Sequence, residues 1–184
     1  MSDIDQRPER REARRRATRP SLRLFLIAGL LSPALAQAAE PGGCDKFKWP
    51  IAHEQSALSA PQTTRLEAGA VLAFDAAASV HLAPLAEAKL EMPPERAPKA
   101  SSSYAGAIKL NAPGAAGTYK VSLSGEGWID VVQDGRLVKA VASSGALDCP
   151  GLRKSVKFPL EAKPLTIQLS DVKTPDISLI VTPE

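Results

Sequence analysis

From Tyr104 to the C-terminal end, apolar and polar residues alternate along several short stretches. In residues 118–124, Tyr119, Val121 and Leu123 alternate with polar residues. Successive side chains of a β-strand point to opposite faces, so this pattern predicts strands with one buried and one solvated face. The same pattern recurs in residues 154–160, 165–169 and 177–181.

A β-hairpin is predicted between residues 128–132 and 136–141, which are joined by Asp134 and Gly135. Asp-Gly is typical of tight hairpin turns because both central positions adopt a positive φ. Residues 104–110 alternate more weakly and predict another strand. Further strands are expected upstream, in residues 65–66, 71–74 and 80–85.

These strands predict an all-β fold. After residue 38, no stretch has a helical period long enough for the crossovers that parallel strands require. The chain has 16 Pro, 12 Gly and only 4% aromatic residues, which suits frequent turns and an aliphatic core. Turn residues separate the strands at the spacing of a sandwich. We therefore predict one domain over residues 39–184, a jelly-roll-like antiparallel β-sandwich.

Residues 1–38 show the three regions of a secretory signal peptide. An apolar run at residues 24–31 is followed by Ala36-Gln37-Ala38, which suits cleavage after Ala38. The run is much shorter than the roughly 20 residues of a transmembrane helix. We expect export to the periplasm or the medium, with no stable membrane insertion after cleavage. The eight arginines before the apolar run are Arg7, Arg10, Arg11, Arg14, Arg15, Arg16, Arg19 and Arg23.

The export route and the charge follow from the same segment. Arg15-Arg16 leaves a twin-arginine signal open, but the following residues favour the general secretory route. Of 23 basic and 20 acidic residues, eight arginines and four acids lie in residues 1–38, which leaves 15 basic and 16 acidic residues. Because the remaining chain is near neutral, we predict no nucleic-acid partner.

Cys44 and Cys149 are the only cysteines. Export to an oxidising compartment favours a disulfide between them. The entropy of closing a loop of about 100 residues predicts a stabilisation of about 4.7 kcal/mol. Residues 41–43 do not form a lipoprotein box, and one distant pair is not a zinc ribbon.

Two segments lack the alternating pattern. Residues 39–61 form an N-terminal extension, expected to pack across one end of the domain, with a single helical turn at residues 54–58. Residues 86–103 are rich in Pro and Ser and predict a long surface loop. Such loops often bind ligands in compact domains, although a plain connection is the alternative.

The residues after position 38 offer few groups suited to catalysis. A mononuclear iron site takes two histidines and a carboxylate, and His53 and His81 are the only histidines. His53 lies in the predicted helical turn, whereas His81 alternates with apolar neighbours and is expected on a solvated strand face. No Gly-x-Ser-x-Gly motif occurs. We predict no catalytic residue, no metal site and no cofactor.

Two resemblances add to this interpretation. Residues 117–124, Gly-Thr-Tyr-Lys-Val-Ser-Leu-Ser, followed by residues 128–135, Trp-Ile-Asp-Val-Val-Gln-Asp-Gly, resemble bacterial pre-peptidase C-terminal domains. That resemblance covers residues 104–183 and implies a small secreted jelly-roll sandwich. The segments Cys-Asp-Lys-Phe-Lys-Trp-Pro (44–50) and Asp-Cys-Pro-Gly-Leu-Arg-Lys-Ser-Val-Lys-Phe (148–158) resemble a family of small exported proteobacterial proteins. Members labelled homogentisate 1,2-dioxygenase imply a metal-dependent aromatic-ring dioxygenase as an alternative function.

A recognition site is predicted from the aromatic and charged residues of the later strands. Trp128 and Trp49 are the only tryptophans, and an indole ring beside cations suits a sugar, an anionic glycan or a partner protein. Core packing is the alternative for each ring. Asp130 is placed to pair with Lys139 across the hairpin. The candidate ligand-binding residues are Trp128, Asp130, Lys139, Arg153, Lys154 and Lys157.

Together these features predict an exported, non-enzymatic binding or accessory module of the bacterial periplasm, with a glycan or an envelope protein as partner. A structural envelope-associated protein is a further alternative.

Overall fold

The computed structural model describes residues 42–61 and 64–184, and the predicted signal peptide, residues 1–38, lies outside them. The described chain contains a 3-10 turn at Cys44–Lys46, an α-helix, α1 (Ala52–Ser59), and strands β1 to β12. No helix among these residues is long and apolar enough to span a membrane. The strands are β1 (Arg65–Glu67), β2 (Val71–Leu72), β3 (Ala78–His81), β4 (Ala83–Pro84), β5 (Tyr104–Leu110), β6 (Gly117–Leu123), β7 (Trp128–Gln133), β8 (Arg136–Val138), β9 (Ala142–Gly145), β10 (Lys154–Leu160), β11 (Leu165–Val172) and β12 (Asp176–Pro183).

The strands form two sheets that pack against each other. The first sheet has the order β1-β3-β12-β6-β10-β9. The second has the order β2-β5-β11-β7-β8, and β4 also pairs with β5. This architecture confirms the all-β sandwich predicted from the alternating pattern.

The core between the sheets holds the side chains that the alternation assigns to the buried face. Tyr119, Val121 and Leu123 of β6 are buried there, opposite Ile167 and Leu169 of β11. The predicted apolar faces of β10 and β12 enter the same core. Their buried residues are Val156, Phe158, Leu160, Ile177, Leu179 and Val181.

The predicted hairpin is confirmed. β7 and β8 pair antiparallel, and the turn between them holds Asp134 and Gly135 at φ 51° and 68°. A positive φ at both positions matches the right-handed twist of the two strands, which explains why Asp-Gly stands there.

The strand pairing differs from a purely antiparallel sandwich at two edges. β1 pairs with β3, and β2 with β5, in parallel. β1 and β2 are only three and two residues long and follow each other closely in the chain, one at the edge of each sheet. The chain passes from β1 in the first sheet to β2 in the second sheet and back to β3 in the first. Because β2 lies between the paired strands β1 and β3, this parallel pair needs no crossover helix.

β9 is a strand that the sequence pattern does not predict. It carries the chain from the second sheet to the edge of the first, where it pairs with β10. Its sequence, Ala-Ser-Ser-Gly, lacks the large alternating apolar residues on which strand prediction depends.

The N-terminal extension covers the outer face of the first sheet instead of one end of the domain. α1 contacts β12, and a second apolar cluster forms around Ile51, Leu58, Leu152 and Ile180. The helix spans eight residues, about two turns, where the sequence predicts one turn. The predicted Cys44–Cys149 disulfide is present and ties this extension to the segment before β10.

A buried ion pair fixes α1 on the sheet. Glu54 is 1% exposed, and its Oε1 lies 2.5 Å from both Lys120 Nζ and Thr182 Oγ1. Burial acts to raise the pKa of Glu54, but hydrogen bonds from Lys120 and Thr182 together hold this pKa below its usual value. The charged carboxylate is therefore the form that the folded protein favours.

Candidate functional site

A cleft of about 690 Å³ opens where β7 and β10 begin and β11 ends. We call it the cationic cleft, because its lining includes seven basic side chains and only two acidic ones. The basic residues are Lys46, Lys48, Arg96, Lys99, Arg153, Lys154 and Lys173. The acidic residues are Glu126 and Asp171. Three separate parts of the chain meet there, namely the N-terminal extension, the Pro/Ser-rich loop and the strand ends.

The long loop reaches the cleft because polar side chains hold it on the outer face of the second sheet. Residues 86–103 contain no helix or strand. The amide of Gln168 on β11 bonds the backbone N–H and C=O of Met92, at 2.9 and 3.0 Å. Gln168 is 1% exposed, so the loop buries a side chain that the alternation assigns to a solvated face.

Two carboxylates continue this attachment toward the cleft. Asp130 Oδ2 accepts the backbone N–H of Glu95 at 3.2 Å, and Asp171 Oδ1 accepts that of Lys99 at 3.1 Å. Asp171 has φ 55° and lies at the irregular end of the β11–β5 pairing, where the regular strand alternation breaks. These two bonds place Arg96 and Lys99 on the wall of the cleft.

Trp128 supports the cations of the cleft. Its Nε1 donates to Asp130 Oδ1 at 2.9 Å, and its ring centroid lies 5.2 Å from Arg96 Cζ and 5.1 Å from Lys154 Nζ. Cations at these distances gain from the ring quadrupole. The half-buried indole is therefore already engaged by two basic residues, which differs from an open platform for stacking a sugar.

Asp130 lies behind Trp128 and is 3% exposed. Burial raises its pKa, and hydrogen bonds from Trp128 and Glu95 counteract the shift only in part. Its hydrogen bonds join the Trp128 indole and the loop to β7. The sequence instead predicted an ion pair between Asp130 and Lys139. Lys139 follows the end of β8 and is exposed outside the cleft lining.

Glu126 is one of the two acidic residues that line the cleft. Its Oε1 lies 3.1 Å from Arg153 Nη2, and its Oε2 lies 2.5 Å from Lys173 Nζ. The hydrogen bonds from Lys173 and Arg153 hold the pKa of Glu126 below its usual value. The turn that carries it packs closely on β11, since a Cβ at Gly127 would lie 2.9 Å from Val172 Cγ2.

The N-terminal extension supplies the opposite wall. The backbone N–H of Lys48 donates to Ser144 Oγ at 3.0 Å, and Lys48 Nζ donates to the carbonyl of Ser143 at 3.2 Å. Gly145 leaves room for the neighbouring guanidinium, because a Cβ there would lie 3.1 Å from Arg153 Nη1. The disulfide at Cys44 thus brings lysines of the extension to the edge of β9.

The structure brings three of the six predicted binding residues together at the cleft: Trp128, Arg153 and Lys154. Asp130 supports them from behind. Lys157 lies elsewhere, with its Nζ 4.4 Å from the ring centroid of Trp49 and in an ion pair with Glu184. Trp49 donates from Nε1 to Ser155 Oγ at 3.3 Å and packs against the second apolar cluster.

Five basic residues of the cleft were missed in the sequence analysis: Lys46, Lys48, Arg96, Lys99 and Lys173. They come from segments that lie far apart in the chain. For Lys46 and Lys48, the predicted disulfide is a signal that would have found them, because it places their segment beside Arg153.

The two histidines pair with different aspartates. His53 Nε2 lies 2.6 Å from Asp75 Oδ1, and His81 Nδ1 lies 3.0 Å from Asp176 Oδ1. Across residues 42–61 and 64–184, no group of three or more His, Cys, Asp or Glu side chains has the arrangement of a metal site.

Comparison with known proteins finds no matching family model, no matching curated protein and no matching solved structure.

Proposed function

We propose that this chain is an exported, non-enzymatic binding module and that its cationic cleft holds an acidic saccharide, a sugar chain that carries carboxylate groups. The observation that carries the proposal is the convergence of seven basic and only two acidic side chains on one cleft, although residues 39–184 together carry 15 basic and 16 acidic residues. The cleft is therefore locally cationic in a chain that is near neutral as a whole after residue 38.

The charge of the cleft supports an anionic ligand. Arg153 and Lys173 share Glu126, whereas Arg96 and Lys154 lie over the Trp128 ring, and Lys154 Nζ also donates to the carbonyl of Gly127 at 3.0 Å. A partly enclosed surface with one sign of charge raises the local concentration of counter-ions and steers them in. An acidic ligand meets both point charges from lysines and planar donors from arginines.

The remaining lining supports a hydroxylated ligand. Ser102 and Ser143 are exposed at the cleft. Among the described lining residues, Trp128 is the one apolar side chain larger than alanine, and no aliphatic pocket is present to anchor a hydrophobic ligand. The hydroxyl groups and cations of the lining are the donors that a sugar with carboxylates requires.

Export is supported by two features. The first is the signal-peptide pattern of residues 1–38, and the second is the Cys44–Cys149 disulfide. Disulfides persist mainly in oxidising compartments such as the periplasm.

The proposal is tested by isothermal titration calorimetry of residues 39–184 with tetragalacturonate, and with an uncharged tetrasaccharide as the ligand control. We expect binding of the acidic chain only. Lys99→Glu reverses one charge in the cleft while leaving its backbone bond to Asp171, and should weaken binding roughly tenfold, since bonds to charged groups contribute about 1.5–3 kcal/mol.

Lys139→Glu is the matched control, because it makes the same change in net charge outside the cleft lining. We expect it to leave the affinity nearly unchanged. Equal losses in the two variants, or equal binding of the charged and uncharged chains, would contradict a specific site in the cleft.

A further inference from the structure

We propose that Glu126 occupies the position of a ligand carboxylate in the free protein, and that the ligand displaces it from Arg153 and Lys173. This inference rests on the proposed function, because it assigns the residue that competes with an acidic ligand for the cationic cleft.

The two oxygens of Glu126 are bound as those of a ligand carboxylate would be. One lies against the Arg153 guanidinium at 3.1 Å and the other against the Lys173 ammonium at 2.5 Å. A carboxylate bridging an arginine and a lysine is a charge-assisted arrangement that any mobile carboxylate can reproduce. The protein thus presents a complete anion site that is filled by its own side chain.

The partners differ in exposure in the way that displacement requires. The Arg153 side chain is 16% exposed and also donates from Nη1 to the carbonyl of Ala146 at 3.4 Å, so it is held in place. Glu126 is 45% exposed and Lys173 76% exposed. The acid can therefore rotate into water, and the lysine can follow a new anion, without disturbing the core.

A second depression beside Glu126 gives space for a ligand that extends beyond the cationic cleft. Arg153, Lys173 and Glu126 also line this depression of about 390 Å³, together with Ser124 and Thr174. Glu126 thus stands at the boundary between the cationic cleft and this smaller depression. A sugar chain that extends from one to the other passes the Glu126, Arg153 and Lys173 side chains that line both.

Asp134 provides a matched control outside the cleft lining. It lies in the exposed turn between β7 and β8, where its Oδ2 accepts a hydrogen bond from Lys163 Nζ at 2.7 Å. An asparagine tolerates the positive φ of this position. Asp134→Asn therefore removes the same unit of negative charge as Glu126→Gln while leaving Glu126 bound to Arg153 and Lys173.

The test compares three proteins by titration calorimetry with tetragalacturonate at physiological ionic strength. Glu126→Gln should bind roughly threefold to tenfold more tightly than the parent, because two exposed ion pairs no longer compete with the ligand. Asp134→Asn should stay within about twofold of the parent, since Asp134 lies outside the cleft lining and salt screens its longer-range charge. Thermal unfolding of each variant checks that the fold is intact.

Each outcome separates this inference from the proposed function. Absence of tetragalacturonate binding in all three proteins would overturn the proposed function. Binding by the parent with an equal or lower affinity in Glu126→Gln would overturn the inference alone. Equal gains in both variants would also overturn it, because they would reflect the net charge of the protein and not displacement of one carboxylate.

Discussion

A single carboxylate, that of Asp130, joins three parts of the candidate site. One oxygen accepts the indole N–H of Trp128 and the other accepts the backbone N–H of Glu95. Because burial raises the pKa of Asp130 in the folded protein, its charge opposes folding at neutral pH. This opposition lessens as the pH falls through the folded pKa toward the unfolded value, since the folded state binds the proton more tightly.

Asp130→Asn should release the loop locally. The asparagine has one acceptor oxygen in place of two, so it can serve either Trp128 or Glu95. Loss of one hydrogen bond of about 1 kcal/mol predicts roughly fivefold faster amide hydrogen exchange at Glu95. Asp134→Asn makes the same change in an exposed turn and should leave that exchange unaltered. Unchanged exchange at Glu95 in Asp130→Asn would show that the carboxylate does not hold the loop.

Glu54 has the opposite relation to pH. Its pKa is lowered on folding, so its contribution to stability is present above its unfolded pKa, near 4.5, and is lost as the pH falls through the lower folded pKa. Glu54→Leu leaves Lys120 unpaired and should reduce the free energy of unfolding by about 3 kcal/mol at neutral pH. Denaturant unfolding between neutral pH and pH values below 4.5 should show that the difference in free energy of unfolding between variant and parent becomes smaller as the pH falls.

The double variant Glu54→Leu with Lys120→Met is the control for that pair. Replacing a buried ion pair by apolar residues is often neutral or stabilising. Recovery of stability in the double variant is therefore expected. If the double variant loses as much free energy of unfolding as the single variant, a change in the packing of the helix, and not the broken ion pair, causes the loss.

At the scale of elements, two segments outside the strands of the sandwich contribute to the candidate site. The N-terminal extension covers the first sheet, and the 86–103 loop covers the second. β11 is consequently buried on both faces, with Thr166, Gln168 and Ser170 beneath the loop side. The cationic cleft lies where the ends of these two coverings meet.

The disulfide should connect the stability of the extension with the cleft. Replacing Cys44 and Cys149 by serine together removes a constraint across 105 residues and should lower the free energy of unfolding by about 2–5 kcal/mol. Since Lys46 and Lys48 lie within four residues of Cys44, tetragalacturonate affinity should fall as well. Denaturant unfolding and calorimetry of the double variant measure both effects, and undiminished stability would contradict the role assigned to the extension.

At the scale of the whole molecule, the fold was largely predictable because the longer strands alternate where one strand face meets the core. The apolar faces of β6, β10, β11 and β12 were found in this way, whereas the hairpin turn was found from Asp-Gly and the disulfide from the predicted export. β9 was missed because its small residues carry no hydrophobic pattern. The parallel edge pairs were missed because β1 and β2 are too short to show an alternating pattern.

The candidate site was predictable only in part, for a topological reason. Trp128, Arg153 and Lys154 lie at strand ends where the pattern is clear. Arg96 and Lys99 reach the cleft because the loop is bound to Gln168, Asp130 and Asp171. Local periodicity places Gln168 and Asp130 on a solvated face, and Asp171 lies where the alternation of β11 breaks. The hydrogen bonds that hold an irregular loop on a sheet leave no periodic pattern of apolar and polar residues in the sequence.

The central claim, that an acidic saccharide binds in the cationic cleft, is tested most directly by the indole N–H signals of the two tryptophans. Trp128 lines the cleft, whereas Trp49 lies under Lys157 outside the lining. In a nitrogen–proton correlation spectrum, added tetragalacturonate should shift the Trp128 indole signal with saturation and leave that of Trp49 in place. A shift confined to Trp49, or no saturable shift at either ring, would contradict the account.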